Sequence, residues 1–207
     1  YVDEYVSKEL NDFTRRSARF IYLFNRLRST VRSVALDMAE ELRLSDFEPL
    51  DFELSFSDTD GDGLPAIEVG RGEESMSLVG VADRVDGWVH NGKLYLRVVD
   101  YKTGKKSFSL SDVCRGLGLQ MLIYLFALGE EGKARYGFEI VPAGVLYAPV
   151  RELKISADSR PDEAELEKRR RDGLRRSGLI LDEAEVIAAM ERSDSPGFIP
   201  VRFHRQG

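Results

Sequence analysis

The fold of this chain is decided by the stretch Gly80-Val81-Ala82-Asp83-Arg84-Val85-Asp86-Gly87-Trp88-Val89-His90-Asn91-Gly92-Lys93-Leu94-Tyr95-Leu96-Arg97-Val98-Val99-Asp100-Tyr101-Lys102. Two runs rich in Val, Leu and aromatic residues flank Asn91-Gly92, a dipeptide that strongly favours a two-residue hairpin turn. We therefore predict two antiparallel strands, 75–90 and 93–102, joined by this turn.

The turn also fixes which residues of the hairpin face each other. With a two-residue loop, His90 lies opposite Lys93, and counting inward brings Asp83 opposite Asp100. Directly opposed residues have Cβ atoms about 5 Å apart, and like charges at that distance are destabilising. The register therefore predicts a positive charge between the two aspartates, unless a bulge or a frayed strand end separates them.

Two sources of that charge are open. Lys102 lies two residues beyond Asp100, so the pleat puts both side chains on one face of the sheet. The other source is a divalent cation such as Mg²⁺, which prefers a few carboxylate oxygens together with water. The backbone carbonyl of Tyr101 is a candidate for a further metal ligand.

Other charged positions are assigned to structure. The hairpin register places Asp86 opposite Arg97 on the other face of the sheet, where the two side chains can form an ion pair. Further along, Arg169, Arg175 and Arg176 lie in a segment that alternates basic and acidic residues, a pattern typical of a solvated helix face.

The composition favours one domain that does not span a membrane. The chain has 207 residues, of which 43% are apolar and 32% charged, and it contains no apolar run of 18 residues. Cys114 is the only cysteine, which excludes an intrachain disulfide and agrees with a cytoplasmic location. The formal charge of -6 argues against holding nucleic acid by bulk electrostatics.

Hydrophobic periodicity predicts the remaining elements. They are a long N-terminal helical segment over 3–44, a strand over 50–56, a helix over 111–128, a strand over 141–150, and helices over 162–177 and 182–192. This order predicts an α/β fold with a small mixed sheet flanked by helices. We divide the single domain 1–207 into a helical lead-in (1–45), a core with sheet and active-site helix (48–150) and a helical C-terminal extension (151–207). We expect it to be a fragment of a larger protein.

Three motifs in order resemble a known family. Gly80-Val81-Ala82-Asp83, Asp100-Tyr101-Lys102 and Gln120-Met121-Leu122-Ile123-Tyr124 are similar to the GxxD, DxK and QxxxY motifs of the RecB-like branch of the PD-(D/E)XK nuclease superfamily. The wider matches, 83–86 and 100–104, are closest to the C-terminal nuclease domains of AddB-type subunits of bacterial helicase-nucleases. The resemblance implies a restriction-endonuclease-like core.

The resemblance also implies roles for five residues. Asp83 and Asp100 would bind Mg²⁺ or Mn²⁺, and Lys102 would orient or activate the attacking water and stabilise negative charge on the phosphate. Gln120 and Tyr124, spaced i to i+4 on one helix face, would contact substrate phosphate or position the lysine. The function implied is a metal-dependent DNA nuclease, exonucleolytic on single strands, in recombinational repair. A free-standing RecB-like exonuclease and a non-catalytic nuclease-fold scaffold are the alternatives.

Three further candidates surround this site. Lys105 and Lys106 follow it directly and could bind DNA phosphates together with Gln120 and Tyr124, although solvated loop lysines explain them equally well. Glu53 lies on the polar face of the preceding strand, where the family often has an acidic residue, and solvent exposure is its alternative explanation.

Two features of the family are missing from the sequence. No histidine precedes Asp83, although this branch usually has a metal-binding histidine there. AddB-type domains also carry four cysteines for an iron-sulfur cluster, so with Cys114 alone we do not expect the cluster in this fragment. The partners implied are DNA and, for the full-length protein, an AddA-like subunit.

Overall fold

A mixed five-stranded sheet forms the centre of the chain. The computed structural model describes residues 17–59, 61–70, 75–104, 108–150, 162–193 and 196–201. The helices are α1 (Ala18–Arg43), α2 (Leu110–Cys114), α3 (Gln120–Tyr136), α4 (Glu163–Leu174) and α5 (Ala184–Met190). The strands are β1 (Glu48–Phe56), β2 (Ile67–Val69), β3 (Met76–Leu78), β4 (Gly80–His90), β5 (Lys93–Lys102), β6 (Glu139–Pro149) and β7 (Ser177–Ile180).

The sheet topology agrees with the predicted α/β class. The strand order is β1-β4-β5-β6-β7, with β5 and β6 parallel and the other neighbours antiparallel. The parallel pair requires a crossover connection, which α2 and α3 provide between β5 and β6. Within the described residues, no helix has the length and apolar character needed to cross a bilayer.

The predicted hairpin turn and its register are confirmed. Asn91 and Gly92 have φ angles of 49° and 74°, as the two central residues of a type I′ turn require. His90 lies opposite Lys93, and the pairing continues inward without a shift. The local chemistry of two residues therefore fixes the relative position of β4 and β5.

Two predicted elements are each divided in the structure. The helix expected over 111–128 is wrong as one element, because Gly116 and Gly118 adopt left-handed φ angles of 80° and 67° and separate α2 from α3. The strand expected over 75–90 is divided into β3 and β4. β3 pairs with β2, a strand that the periodicity did not predict.

The ends of the chain also differ from the predictions. α1 accounts for the long N-terminal helix from Ala18, while its predicted part over 3–16 lies outside the described residues. The helix expected over 162–177 ends at Leu174, and β7 follows as an additional edge strand. The division into lead-in, core and extension remains a prediction.

The core on one side of the sheet lies between β5 and α3. Leu94, Leu96 and Val98 alternate along β5 and are buried against α3. α3 contributes Met121, Tyr124, Leu125 and Leu128 to the same cluster. This packing fixes the start of α3 relative to the ends of β4 and β5.

The other side of the sheet contains a buried cluster of ion pairs. Asp86 binds the Arg84 Nε at 2.7 Å and the Arg97 Nε at 2.8 Å, and all three side chains are 0% exposed. Glu41 of α1 lies 3.4 Å from Arg97 and 2.7 Å from Arg176. The predicted structural role of the Asp86–Arg97 pair is confirmed, and the cluster connects α1 to the sheet.

The prediction that Arg176 lies on a solvated helix face is wrong. Arg176 follows the end of α4, is 4% exposed, and pairs with Asp37 at 2.9 Å as well as with Glu41. Burial would raise the pKa of Glu41, but the positive charges of Arg176, Arg97 and Arg84 outweigh this effect and lower it. Three guanidinium groups and three carboxylates therefore balance within the cluster.

A second ionic contact joins α3 to the edge strand β1. Asp51 accepts hydrogen bonds from Arg135 at 2.5 Å and from the Tyr136 hydroxyl at 2.5 Å. Burial would raise the pKa of Asp51, but these hydrogen bonds outweigh it and hold the pKa below the ordinary value.

We expect Asp51→Asn to lower the free energy of unfolding at neutral pH by about 1–3 kcal/mol, since it weakens hydrogen bonds to a charged group. A lowered folded-state pKa contributes stability above the unfolded-state pKa and loses it as the pH falls through the folded-state pKa. The difference in the free energy of unfolding between wild type and Asp51→Asn should therefore become smaller below about pH 4. Urea unfolding across this range is the measurement, and a constant difference would contradict the assignment.

Candidate active site

The two motif aspartates lie at the open end of the β4–β5 hairpin. The last residue pair of the ladder is Arg84 with Val99, and Asp83 and Asp100 are the next residues along the two strands. Alternation from Val85, which packs in the core next to α3, places Asp83 on the same side of the sheet as Asp100. Asp83 is half-buried and Asp100 is 8% exposed.

Lys102 provides a positive charge at Asp100. Its Nζ lies 2.5 Å from the Asp100 Oδ2. Of the two sources of charge that the register left open, the ammonium group is therefore in contact with one of the aspartates. The pair is partly shielded from water, since the Lys102 side chain is 29% exposed.

Tyr101, between these two residues, is linked to β4 in two ways. Its main-chain N–H donates to the Asp83 Oδ2 at 2.7 Å, so a carboxylate of β4 accepts a main-chain hydrogen bond where the ladder ends. Its hydroxyl accepts from Arg84 at 2.8 Å on the opposite side of the sheet. Consecutive residues of β4 are thus held by one residue of β5. The Tyr101 carbonyl as a metal ligand remains a prediction.

Tyr147 completes the surroundings of Asp100 and was not predicted. The parallel pairing of β5 and β6 places it beside Asp100, and the Lys102 Nζ lies 5.8 Å from its ring centroid. Burial, and then the charge of Asp100, raise the pKa of the Tyr147 hydroxyl. The sequence predicted the strand that contains Tyr147, but not its register against β5.

Gln120 and Tyr124 share one face of the first turns of α3, as their spacing predicted. The Gln120 Nε2 donates to the Tyr124 hydroxyl at 2.9 Å. The buried Tyr124 ring stacks on Phe56, with centroids 4.8 Å apart. Its hydroxyl lies against Gly80, where an added Cβ would be 2.0 Å from the oxygen. The glycine of the first motif therefore makes room for the tyrosine of the third.

We expect Gly80→Ala to lower the free energy of unfolding by about 1–3 kcal/mol, because the methyl group overlaps a ring that the core holds in place. Thermal unfolding is the measurement. Gly104→Ala is the control, since a Cβ there meets no atom within 4 Å. The double variant Gly80→Ala/Tyr124→Phe removes the closest overlapping atom and should recover part of the loss; no recovery would contradict the explanation.

Of the remaining candidates, the structure describes Glu53, which does not line a common cavity with the two aspartates. Glu53 lies at the level of Asp83 on the neighbouring strand, with a left-handed φ of 52°, but it is exposed and lines a separate cavity of about 310 Å³ together with Arg135. Lys105 and Lys106 lie outside the described residues. All three assignments remain predictions.

The donor atoms suit a hard cation. Mg²⁺ typically takes one or two protein carboxylates and completes its shell with water and substrate phosphate. Asp83 and Asp100 offer this set. In the described part of the chain, no three His, Cys, Asp or Glu side chains form a group that could hold an ion by themselves. Among the described residues, the two aspartates therefore leave coordination positions that solvent or substrate could fill.

Comparisons with known proteins agree with the motifs and the fold. The family model of the PD-(D/E)XK nuclease superfamily matches residues 1–197. The chain is 36% identical over its whole length to one subunit of the ATP-dependent helicase/deoxyribonuclease of Acetivibrio thermocellus, and 34% identical to that of Caldanaerobacter subterraneus subsp. tengcongensis. The corresponding protein of Clostridioides difficile is 31% identical over 93% of the chain.

These relatives are much longer than the chain. The chain spans 18% of the first two proteins and 16% of the third, so the similarity concerns one part of each. The family match, in contrast, covers nearly all of the 207 residues. It includes the three motifs that meet where β4, β5 and α3 come together. The chain therefore belongs to the PD-(D/E)XK nuclease superfamily.

Proposed function

We propose that the chain is a metal-dependent DNA nuclease domain that hydrolyses phosphodiester bonds of single strands. The observation that carries this proposal is the grouping of Asp83, Asp100 and Lys102 at the end of one hairpin, with two carboxylates and an ammonium group on one side of the sheet. The family membership supports the same reaction class.

Asp83 and Asp100 would hold Mg²⁺ or Mn²⁺ through their carboxylate oxygens. When bound, the ion supplies acidification of a water molecule and positive charge for the phosphate oxygens. The hydrogen bond from the Tyr101 N–H occupies one oxygen of Asp83 and orients the carboxylate. Because that donor belongs to β5, the relative position of the two acids depends on the hairpin itself.

Lys102 would act on the water and on the phosphate. Its Nζ is fixed by Asp100 and lies near the Tyr147 ring, so the charged group enters the reaction already oriented. An oriented ammonium group can hold the attacking water by hydrogen bonding and stabilise the negative charge that develops on the phosphate. These are the two roles that the family resemblance implies for it.

Gln120 would contact the substrate. It is exposed at the start of α3, and its bond to the buried Tyr124 hydroxyl leaves further donor and acceptor capacity on the amide. Such an amide can bind a phosphate oxygen next to the scissile bond. Tyr124 would then position Gln120 rather than reach the phosphate itself.

The biological setting is part of the proposal. The relatives are named as helicase/deoxyribonuclease components, so we propose that the domain acts exonucleolytically in a bacterial helicase-nuclease, in the cytoplasm, during recombinational repair. An AddA-like subunit would be its partner. The net charge of -6 suits a module that receives DNA from a motor and does not capture it by charge alone. Lys105 and Lys106 would add local phosphate contacts.

The test is a titration of Mg²⁺ or Mn²⁺ in a cleavage assay on end-labelled single-stranded DNA, with this chain and the full-length protein in parallel. We expect cleavage that requires the metal, and a loss in Lys102→Gln that added metal does not restore. Lys133→Gln, a substitution at an exposed lysine near the far end of α3, is the matched control. Metal-independent cleavage, or none by the full-length protein, would contradict the proposal; the second result would favour the scaffold alternative.

A further inference from the structure

A cavity of about 250 Å³ lies beside the candidate active site. Phe108 and Tyr147 contribute aromatic surface, and Leu117 contributes aliphatic surface. Leu117 is 58% exposed at the turn between α2 and α3, so the cavity is open to solvent there. Ser109 and Asp112 contribute polar side chains, and Tyr147 also carries a hydroxyl.

The main chain holds this cavity in shape. The Ser109 Oγ accepts from the Asp112 N–H at 3.3 Å and begins α2, and the Leu117 N–H donates to the Asp112 carbonyl at 2.8 Å. The Phe108 N–H donates to the Ser177 hydroxyl at 3.3 Å, which ties the segment to β7. The walls therefore come from segments with fixed hydrogen bonds.

Tyr147 is shared by the cavity and the candidate active site. It pairs with Asp100 across β5 and β6, and the Lys102 Nζ lies 5.8 Å from its ring centroid. A molecule in the cavity would thus be separated from the Asp100 carboxylate and the Lys102 ammonium group by the Tyr147 side chain. This continuity suits two neighbouring parts of one nucleotide, with the phosphate at the charged groups and the remainder beyond Tyr147.

The chemistry of the walls favours a nucleobase over a phosphate. Of the described residues that line the cavity, none is basic, and the Asp112 carboxylate would repel a phosphate. A base has flat apolar faces, which aromatic side chains bind by stacking, and a polar edge. Aspartate accepts hydrogen bonds from amino groups such as the cytosine N4.

We propose that this cavity binds one unpaired nucleobase of the DNA strand whose phosphate is held at Asp83, Asp100 and Lys102; the proposal rests on the proposed function. A base within a duplex is stacked on both faces and paired at its edge, so it must be unstacked and unpaired before it can enter. The cavity therefore gives the site a preference for single strands and frayed ends.

The experiment measures binding of a single-stranded oligonucleotide in Ca²⁺, with 2-aminopurine placed at successive positions around the scissile phosphate. We expect quenching at one position only. Leu117→Ser and Phe108→Ala should weaken binding by about 5- to 100-fold, the effect of losing contacts to one base. Leu110→Ser is the matched control, because Leu110 is also 58% exposed on the same segment but does not line the cavity.

An oligonucleotide that lacks the base at the quenched position gives the second measurement. The affinity of wild type for this abasic strand should be about as low as the affinity of Leu117→Ser for the intact strand. Leu117→Ser should bind the abasic strand no more weakly than wild type does. Equal effects of Leu117→Ser and Leu110→Ser on binding, or undiminished binding of the abasic strand, would overturn the proposal that the cavity binds a base. Neither result would change Mg²⁺-dependent cleavage by wild type. If wild type does not cleave the intact strand in Mg²⁺, the proposed function fails and the cavity proposal fails with it.

Discussion

Asp86→Ala is expected to lower the free energy of unfolding by about 3–5 kcal/mol, which is typical of removing one partner from a buried charge pair. Asp86 is 0% exposed and is the acceptor for both Arg84 and Arg97. Without it, two buried guanidinium groups lose their shared carboxylate, and among the described residues Glu41 is the carboxylate that remains near both. Urea unfolding followed by circular dichroism measures the loss.

A surface pair on the same sheet supplies the control. Lys93 and Glu139 are 2.7 Å apart, but their side chains are 44% and 64% exposed. Solvent screens such a pair, so Glu139→Ala should leave the free energy of unfolding nearly unchanged. If Asp86→Ala cost no more than Glu139→Ala, the buried cluster would not be what connects α1 to the sheet.

Asp100→Asn is expected to reduce Mg²⁺-dependent cleavage by more than about 100-fold. Mutating a residue that only hydrogen-bonds to a metal ligand already lowers metal affinity or activity by about 10- to 100-fold, and a direct ligand should matter more. The substitution keeps the size of the side chain and removes both a proposed metal ligand and the counter-charge of Lys102. Single-turnover cleavage rates measure the loss of activity. Metal binding is measured separately, as the rise in melting temperature on adding Mg²⁺, and this rise should disappear.

The metal-induced shift separates a ligand from a merely structural residue. If Asp100 served only to pair with Lys102, Asp100→Asn would change the stability without metal but leave the shift intact, and the assignment would be wrong. Asp182→Asn, at an exposed position between β7 and α5, is the control and should keep both the cleavage rate and the shift.

The part of the site that could be predicted is the part set by local chemistry. Asn91-Gly92 determines its own turn, and the turn determines the register of β4 and β5, so the positions of Asp83 and Asp100 followed from two residues. The i to i+4 spacing likewise placed Gln120 beside Tyr124. In both cases the geometry depends on neighbours in the sequence.

The parts that were missed depend on contacts between distant segments. Tyr147 lies beside Asp100 only because of the parallel register of β5 and β6, which no short turn fixes. Arg176 and Glu41 are 135 residues apart in the sequence, and patterns of exposed charge do not predict that such a pair is buried. The division at Gly116 and Gly118 had a visible signal, because two closely spaced glycines favour left-handed turns.

The double attachment of Tyr101 has a consequence for mutational scans of this domain. The main-chain N–H of Tyr101 binds Asp83, and the hydroxyl of Tyr101 binds Arg84, the next residue along β4, which belongs to the buried cluster. Substitutions at the buried arginines or their carboxylates can therefore abolish the proposed activity by destabilising the fold, without touching the proposed substrate site. A mutational scan of β4 and β5 that measures only loss of activity will not separate residues of the proposed site from residues of the buried cluster. Measuring the abundance of folded protein for each variant makes this distinction.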